Sequence, residues 1–492
     1  MSQADAILIF LDNTDPVCVD SLLPLLKDGA SLIIIRNAKE ELSKEELLTY
    51  HYLNGFDLNS LPHLNLRDIV LIQAKDHSST DFHMAYLWNT ESSIYNIDAV
   101  RIPWEKLGGP TDSRNNPSGK NPTNVWKFEE DRPKAKTLSL FAPNTSAEEA
   151  SITYSSFGFG TNALIRLIRA HSAESGSIFL HAPEQDLGLF ETTIQSQNRQ
   201  PKRLSLAREM TIPEIANLSV LSGETNEKPA TIIPEIWKKG NATAQLWLGD
   251  CRHGIPQLPA NSVTHAITSP PYNISYSPFN VDTKDHSGNT QNPNREAYED
   301  NLSPEEYQQL LASTFQAIDQ VASEDNLDVF VNIKNNYQNN RCLPPFYFLA
   351  LIPERWKLIN LLIWEYDISF DPAPKKYKPQ YEWILHLGYG KKPKTRALER
   401  WYISIQKGNS EERKGLIHPA IFPYVLVEKA LHHSRAKPET SFVIDPFVGS
   451  GTVLKTCLLR SISCAGFEKN ERFASDIRLR MRTYQEVRAS ET

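Results

Sequence analysis

The stretch Phe442-Val443-Ile444-Asp445-Pro446-Phe447-Val448-Gly449-Ser450-Gly451-Thr452 decides the fold. Its apolar start predicts a strand, its acid and glycines predict a turn, and the residues that follow predict a helix. In this geometry, glycines let the backbone approach a nucleotide-like ligand at the carboxyl edge of a parallel sheet. A glycine-rich turn alone is a weak signal. Ser463 to Glu468, however, predicts a second strand that ends in a carboxylate, where an acid that binds ribose hydroxyls belongs.

A second stretch, Thr268-Ser269-Pro270-Pro271-Tyr272-Asn273, follows the largely apolar run from Ser262 to Ile267. Neither proline can donate a hydrogen bond to a neighbouring strand, so a predicted strand ends here. The stiff loop offers a hydroxyl, carbonyl oxygens and an aromatic face, which suit a flat ring that carries an amino group. For this tetrapeptide alone, a plain proline-rich turn after a buried strand is the alternative.

Three motifs in this order are similar to those of the amino-group DNA methyltransferases of the permuted class, whose catalytic motif precedes the cofactor motif. They are Ser-Pro-Pro-Tyr, then His418-Pro419-Ala420-Ile421-Phe422-Pro423, then Asp-Pro-Phe-Val-Gly-Ser-Gly-Thr. The resemblance covers about Leu246 to Arg480. It implies a Rossmann-like α/β sheet that binds S-adenosylmethionine, the methyl donor.

The resemblance also implies the roles of single residues. The catalytic residues would be Ser269, Pro270, Pro271 and Tyr272. The cofactor-binding residues would be Asp250, Phe422, Asp445, Pro446, Phe447, Gly449, Ser450, Gly451, Thr452 and Glu468. The serine hydroxyl and the first proline carbonyl would accept the hydrogens of the target amine, and the tyrosine would stack on a base flipped out of the duplex. No metal takes part. For Asp250, a capped turn after a strand is the alternative.

Residues 1 to about 235 predict a further α/β domain, with strands at Asp5 to Leu11, Ser31 to Ile35 and Ile69 to Ala74. The segments Tyr95 to Pro103 and Asn116 to Trp126 are similar to one that the same methyltransferases carry before their cofactor motif. Two parts of this chain therefore resemble the same family.

Ser177-Ile178-Phe179-Leu180-His181 parallels the strand Ser441 to Asp445, but the sequence after it, Ala182 to Leu187, has no glycine. In place of Ser-Pro-Pro-Tyr, the first half offers only Leu11 to Pro16. We interpret residues 1–235 as a degenerate, non-catalytic copy and residues 236–492 as the catalytic domain, separated by a linker within 217–243. The first copy would replace the second subunit of a dimer. An unrelated α/β domain is the alternative.

The formal net charge of −7 argues against binding of nucleic acid by the whole surface, so DNA contacts need a local patch. Between Pro374 and Lys414, eleven lysines and arginines stand against four acids. The DNA-binding candidates in this stretch are Lys375, Lys376, Lys378, Lys391, Lys392, Lys394 and Arg396. A solvated basic loop is the alternative. The gap from Gly388 to Leu416 is too short for a sizeable recognition domain, which points to Arg114 and Lys120 for further contacts.

The predicted function is methylation of an exocyclic amine in double-stranded DNA, as part of a restriction-modification system with a separately encoded restriction endonuclease. Serine in the first position of the tetrapeptide favours cytosine N4 over adenine N6. Alternatives are methylation of RNA or of a protein amide, and a non-catalytic DNA-binding protein. The chain would act as a monomer with an internal pseudo-dimer, or as a dimer. Five scattered cysteines without metal-ligand spacing, no membrane-length apolar window and no secretory signal predict the cytoplasm of a prokaryote.

Overall fold

Two β-sheets, one in each half of the chain, organise the computed structural model of the protein. The structure describes residues 3–11, 22–36, 44, 47–48, 64–74, 82–89, 124–126, 153–156, 158–205, 233–273, 302–338, 341–366, 377–390, 398–403, 415–418, 421 and 423–489. Helices accompany both sheets, which confirms the predicted α/β class. None of the helices in these ranges is both long and apolar enough to cross a membrane.

The first sheet has seven strands in the order β5-β3-β4-β2-β1-β6-β7. Its strands are β1 (Ala4–Leu11), β2 (Leu26–Arg36), β3 (Asn65–Gln73), β4 (Phe82–Asn89), β5 (Val125–Trp126), β6 (Ser177–His181) and β7 (Gln200–Arg203). The helices are α1 (Thr161–His171) and α2 (Glu184–Ser196), with a 3-10 turn at Leu23–Leu25. All neighbouring strands are parallel except where β4 meets β2 and β3.

The second sheet has nine strands in the order β16-β14-β15-β11-β10-β17-β18-β9-β8. Its strands are β8 (Glu235–Lys239), β9 (Ala242–Leu248), β10 (His265–Thr268), β11 (Leu327–Ile333), β14 (Lys357–Glu365), β15 (Tyr381–Tyr389), β16 (Leu398–Tyr402), β17 (Phe442–Asp445) and β18 (Ser463–Glu468). Strands β12 (Asn336–Gln338) and β13 (Arg341–Leu343) form a separate antiparallel pair.

Six α-helices are described in the second half: α3 (Cys251–Gly254), α4 (Pro304–Val321), α5 (Phe348–Leu351), α6 (Tyr424–His433), α7 (Thr452–Leu459) and α8 (Ala474–Ala489), with 3-10 turns at Ile255–Gln257, Pro345–Tyr347 and Glu471–Phe473. Helix α4 shows how the sequence sets such an element. Ser303 and Glu306 form a reciprocal capping box at its start, with Pro304 in the first turn. Leu311, Phe315 and Ile318 form its buried face, as their spacing predicts.

The two sheets have the same strand order over seven strands. In each, one antiparallel strand, β4 or β15, lies between two strands that run opposite to it. The second sheet is extended by β9 and by the antiparallel edge strand β8. Strand β8 lies within the predicted linker 217–243. The linker prediction is therefore wrong from Glu235 onward, because a short polar sequence can still pair with a sheet edge.

One continuous hydrophobic core contains residues from both sheets, including Ile9 and Leu71 of the first and Val329 and Leu385 of the second. Hydrogen bonds also join the halves. The Tyr381 hydroxyl donates to the Ile69 carbonyl at 2.9 Å. Further bonds run from Tyr337 to Asp68, from the Asn124 backbone to the Lys378 carbonyl, and from the Gln380 backbone to the Asn124 side chain. The two halves are therefore packed against each other.

Candidate active site

The loop that carries Ser269 to Tyr272 leaves the carboxyl end of β10. Strand β10 lies between β11 and β17 and runs parallel to both, so three strands deliver their carboxyl ends to one edge of the sheet. The Thr268 hydroxyl donates a 2.7 Å hydrogen bond to Oδ1 of Asp445, the last residue of β17. The serine-proline loop and the glycine turn, 177 residues apart in sequence, therefore start side by side.

The glycine turn after Asp445 requires its glycines. Gly449 and Gly451 have φ values of 50° and 82°, in the left-handed region that residues with a Cβ adopt at a cost. A Cβ added to Gly449 would lie 2.9 Å from Nε2 of His418, the first residue of the His-Pro-Ala motif. The backbone amides of Ile417 and His418 donate to Asp476 of α8, at 2.9 and 2.8 Å. The His-Pro-Ala motif therefore supports the turn from outside.

Two carboxyl groups line this turn, and burial raises both of their pKa values to about 7. Asp445 is fully buried and accepts hydrogen bonds from Thr268 and from the backbone of Phe447, while the charge of Glu468 raises its pKa further. Its Oδ2 has no hydrogen-bond partner among the described residues. Glu468 accepts from the backbone amides of Gly449 and Asn470 at 3.0 and 2.8 Å. A cationic ligand bound beside these two carboxyl groups would lower their pKa values, so both would be ionised more fully.

Two features fit S-adenosylmethionine. The Oδ2 atom of Asp445, which is buried and has no partner among the described residues, suits its positive charge. The backbone at the glycines, which carries no Cβ, allows its close approach. The other predicted cofactor residues divide into two groups. Pro446 and Phe447 belong to the turn itself, whereas the Ser450 and Thr452 hydroxyls are buried, 3.4 Å apart, and Arg480 donates to Thr452. Those two hydroxyls therefore make their contacts inside the protein, with each other and with Arg480.

Asp250 lies at the carboxyl end of β9, on the same edge as Glu468. It caps α3 by accepting from the backbone amide of Arg252 at 2.9 Å, and its side chain pairs with the Arg252 guanidinium at 2.6 Å. These contacts hold the pKa of Asp250 below its usual range although burial raises it. The capped turn considered as its alternative role is therefore present. Phe422, the remaining cofactor candidate, lies outside the described residues.

Tyr272 connects the serine of the loop to a carboxylate of another strand. The Ser269 hydroxyl lies 3.1 Å from the Tyr272 oxygen, and the Tyr272 hydroxyl donates to Oε2 of Glu382 at 2.8 Å. Asn332 Oδ1 lies 3.3 Å from the same tyrosine oxygen, and the Lys334 ammonium sits 5.3 Å from the ring centre. Two consecutive hydrogen bonds thus connect the serine, the tyrosine and the carboxylate.

Glu382, Asn332 and Lys334 are not among the residues predicted from sequence. Asn332 and Lys334 follow a recognisable signal, because they flank the carboxyl end of β11, whereas Glu382 lies near the start of β15. Polar residues at the carboxyl ends of parallel strands are candidates for a site. Glu382 could not be found in this way, because β15 is antiparallel and brings its first residues to that edge.

The two proline carbonyls of the loop differ. The Tyr307 hydroxyl of α4 donates to the Pro271 carbonyl, so this oxygen is occupied. Within the described part of the chain, no donor reaches the Pro270 carbonyl, the oxygen that the sequence nominates as an acceptor for the target amine. Among the described residues, the Pro270 carbonyl beside Ser269 therefore has no hydrogen-bond donor.

The predicted DNA-binding cluster falls mostly outside the described residues. This applies to Lys375, Lys376, Lys391, Lys392, Lys394 and Arg396, and also to Arg114 and Lys120. Lys378 is described and partly buried, and its carbonyl accepts from the Asn124 backbone at 3.0 Å. Lys378 therefore lies at the contact between the two halves. The segment from Tyr95 to Pro103 and all of Leu11 to Pro16 except Leu11 also lie outside the described ranges.

The same edge of the first sheet is built differently. Strand β6 ends at His181 and α2 begins at Glu184, whereas six residues separate Asp445 from Thr452 in the second half. His181 pairs with Ile9, and the next residue of β1, Phe10, stacks on Phe190 of α2 with ring centres 4.4 Å apart. Phe10, near the carboxyl end of β1, is thus part of a buried aromatic cluster, and no glycine lies between β6 and α2.

Comparison with known families gives a match over residues 263–478 to the family model described as DNA methylase, of the N6/N4 type. Among curated proteins, the type II methyltransferase M.MwoI of Methanothermobacter wolfeii is 28% identical over 219 residues. The match covers 42% of this chain and 29% of M.MwoI, so the chain spans less than a third of the length of that relative.

Among solved structures, the PvuII DNA methyltransferase (cytosine-N4-specific) is 17% identical, with a TM-score of 0.38, over 48% of this chain and 86% of that one. The M1.HpyAVI–SAM complex is 16% identical, with a TM-score of 0.34, over 48% of this chain and 98% of that one. Values this low indicate only a distant likeness. The family match is more specific, and it shows that residues 263–478 are similar to the N6/N4 DNA methylase family.

Proposed function

We propose that the protein is a DNA methyltransferase that moves a methyl group from S-adenosylmethionine to the exocyclic amine of a flipped base, with cytosine N4 favoured. The observation that carries this proposal is the Thr268–Asp445 hydrogen bond, because it fixes the amine-binding loop beside the donor-binding turn. Two reactants held at adjacent strand ends react as if within one molecule, which accounts for much of an enzyme's rate gain.

The residues of the loop perform the chemistry on the base. The lone pair of an exocyclic amine is delocalised into the ring, so the amine is a poor nucleophile. The Ser269 hydroxyl and the Pro270 carbonyl accept the two amine hydrogens and draw the nitrogen toward tetrahedral geometry. The ring of Tyr272 stacks on the base and offsets part of the few kcal/mol that flipping costs. When bound, S-adenosylmethionine supplies an activated methyl group, whose positive charge the ionised Asp445 stabilises.

Serine at position 269 supports cytosine N4 over adenine N6, because the resembled relatives with other specificities carry aspartate or asparagine there. The hydroxyl accepts a hydrogen bond from either amine, so adenine N6 remains the second candidate. Label in 4-methylcytosine after digestion of the methylated DNA to nucleosides supports the first choice, and label in 6-methyladenine supports the second.

Transfer of label from S-adenosylmethionine tests the proposal directly. Duplex DNA should gain label, while RNA and protein should gain none. Ser269→Ala should reduce transfer at least about 100-fold, because one of two acceptors for the amine is lost, with donor affinity unchanged by calorimetry. Absence of label in every substrate would refute the enzyme and leave a DNA-binding protein. Full activity of Ser269→Ala would remove this residue from the mechanism.

We further propose that residues 1–235 are a degenerate copy of the catalytic half, which makes the chain an internal pseudo-dimer. The equal strand order of the two sheets supports this. So do helices α1 and α6, which end at His171-Ser172 and His433-Ser434. In both, the serine hydroxyl donates to the carbonyl four residues earlier, at 2.7 and 2.9 Å. Serine hydroxyls often make this contact in helices, so the equal strand order is the stronger support.

The degenerate copy would supply DNA contacts that the short gap from Gly388 to Leu416 leaves no room for. Replacement of Arg114 and Lys120 by alanine should weaken duplex binding about tenfold and flatten its dependence on salt, with donor affinity unchanged. Unchanged DNA affinity and salt dependence would contradict this role.

The name of M.MwoI as a type II methyltransferase supports a place in a restriction-modification system of a prokaryotic cytoplasm. In that setting, the methylated sequence would protect DNA from a separately encoded endonuclease. Sequencing of modified bases in a plasmid that carries the gene would give both the base and the site. A plasmid without site-specific methylation would contradict the assignment.

A further inference from the structure

The chain of hydrogen bonds that begins at Ser269 ends at the carboxylate of Glu382, which has no role in the methyl transfer proposed above. Tyr272 lies between Ser269 and Glu382, at 3.1 and 2.8 Å. Glu382 is partly buried on β15, and Lys334 and Asn332, at the end of β11, lie on the same side of the site. The serine-proline loop, the end of β11 and the start of β15 come from different parts of the sequence, and the fold brings them together.

The direction of each hydrogen bond in this chain follows from the donors available. A carboxylate has only acceptor oxygens, so the single phenolic hydrogen of Tyr272 is donated to Glu382, the shorter and charged contact. The Tyr272 oxygen is then an acceptor for the Ser269 hydroxyl. With its own hydrogen directed to Tyr272, Ser269 can meet a target amine only through its lone pairs. Glu382 therefore makes the serine an acceptor, the role that an aspartate would fill without help.

We propose that Glu382 is the proton acceptor of the methyl transfer, reached through Tyr272 and Ser269. This inference rests on the proposed function. As the amine nitrogen attacks, the N–C bond forms from its lone pair, and the C–S bond breaks with its electron pair left on sulfur. The nitrogen then holds one proton too many. That proton passes to Ser269, the serine proton passes to Tyr272, and the tyrosine proton passes to Glu382, so the amine is neutral and the carboxylate is protonated.

The surroundings of Glu382 suit this task. Burial raises the pKa of its carboxyl, which makes it a better base, while the Lys334 charge and the bonds from Tyr272 and Asn332 lower the pKa and keep the ionised form accessible. On its other side, Glu382 pairs with Trp364 of β14, which has no charge. A carboxylate in full contact with solvent would be a weaker proton acceptor.

The test compares Glu382→Gln with the wild-type enzyme in a single turnover, with donor and duplex DNA both saturating. Glutamine keeps an acceptor oxygen for Tyr272 but cannot take up the proton. The rate of methyl transfer should fall about 100-fold, while the affinities for donor and DNA stay within about twofold. Glu399→Gln is the matched control. It makes the same substitution on β16, at a residue that contacts Trp401 and His433 but not the proton relay formed by Ser269, Tyr272 and Glu382. Its rate should stay within about twofold of wild type.

The pH profile separates proton transfer from a structural role. The wild-type rate should rise with pH as Glu382 ionises and then level off, and Glu382→Gln should lose this limb. Asp445 and Glu468 also titrate near neutrality, and saturation with donor removes their effect on the rate. Lys334, Tyr272 and Asn332 are the groups that face Glu382 among the described residues.

An independent measurement uses the free protein. The infrared band of the Glu382 carboxyl, identified by its absence in Glu382→Gln, gives the pKa of this group without donor or DNA. Tyr272→Phe should raise that pKa, because it removes a hydrogen bond that favours the carboxylate. A wild-type rate and pH profile in Glu382→Gln would overturn the relay. So would an unchanged infrared titration in Tyr272→Phe, or a rate loss matched by lost binding. No label transfer by the wild type would refute the proposed function instead.

Discussion

The two sheets of this chain share one strand order but differ at the edge where the carboxyl ends of their parallel strands meet. In the second sheet, six residues with two left-handed glycines separate β17 from α7, and two carboxyl groups line the space. In the first, two residues separate β6 from α2, and Phe10, Phe159 and Phe190 pack together there. The same framework thus carries a site in one half and a packed aromatic cluster in the other.

The difference shows that a sheet of this kind does not need its site in order to fold. Strand pairing and the apolar faces are retained in both halves, while the loops at one edge decide whether a ligand fits. A sheet of this order can therefore keep its strands whether or not the loops at that edge form a site. The two halves provide matched positions at which this statement can be tested.

The largest contrast should come from the residues that end the two equivalent strands. Asp445→Asn removes the negative charge beside the donor, and a hydrogen bond to a charged group contributes about 1.5–3 kcal/mol. We expect donor affinity to fall about 10- to 100-fold by calorimetry. His181→Asn, at the matched position of the first sheet, should leave it unchanged. A comparable loss in His181→Asn would mean that the first half also binds the donor.

Replacement of a glycine by alanine should change the stability of the protein in opposite directions in the two halves. Gly449→Ala places a Cβ in a left-handed backbone conformation, 2.9 Å from His418, and should destabilise the protein by about 2 kcal/mol. Gly188→Ala, in the exposed middle of α2 with no atom near the new Cβ, should stabilise it by about 0.5–1 kcal/mol. Denaturant unfolding measures both. If Gly449→Ala is neutral, the turn does not have the conformation described.

The raised pKa values of Asp445 and Glu468 predict opposite effects of pH on stability and on binding. Their pKa values in the folded protein, about 7, exceed the ordinary values of such acids, so the folded state binds more protons. Their contribution to the stability of the free protein is therefore present at low pH and is lost as pH rises through about 7. The affinity for a cationic donor should instead increase several-fold over the same range.

Melting temperatures of the free protein and calorimetric titrations from pH 5.5 to about pH 8 measure the two effects. Asp445→Asn should weaken both trends, whereas His181→Asn should change neither. A donor affinity that is constant across this range would show that neither carboxyl ionises when the donor binds.

Much of the fold and of the candidate site could be predicted from sequence, because the decisive residues are local. Apolar runs marked β1, β10 and β17, and the glycines and prolines marked where the chain turns. Three motifs predicted that the serine-proline loop and the glycine turn meet, and the Thr268–Asp445 hydrogen bond confirms that geometry. The predicted roles of the single residues remain predictions.

The contacts that depend on antiparallel pairing could not be predicted. Glu382 reaches Tyr272 only because β15 runs against its neighbours, and a sequence does not state strand direction. Strand β8 was missed for a related reason, since an edge strand of mixed polarity resembles a linker. The packing of Gly449 against His418 also depends on two segments that are distant in sequence.

The continuous core between the two sheets has a consequence for the history of the chain. If the first half is the degenerate copy proposed above, substitutions that erased its site would have left this interior intact. Removal of the whole half would instead expose apolar residues of this shared core to water. On the proposal that the first half is a degenerate copy, the chain has lost one set of active-site residues but still depends on the scaffold that carried them.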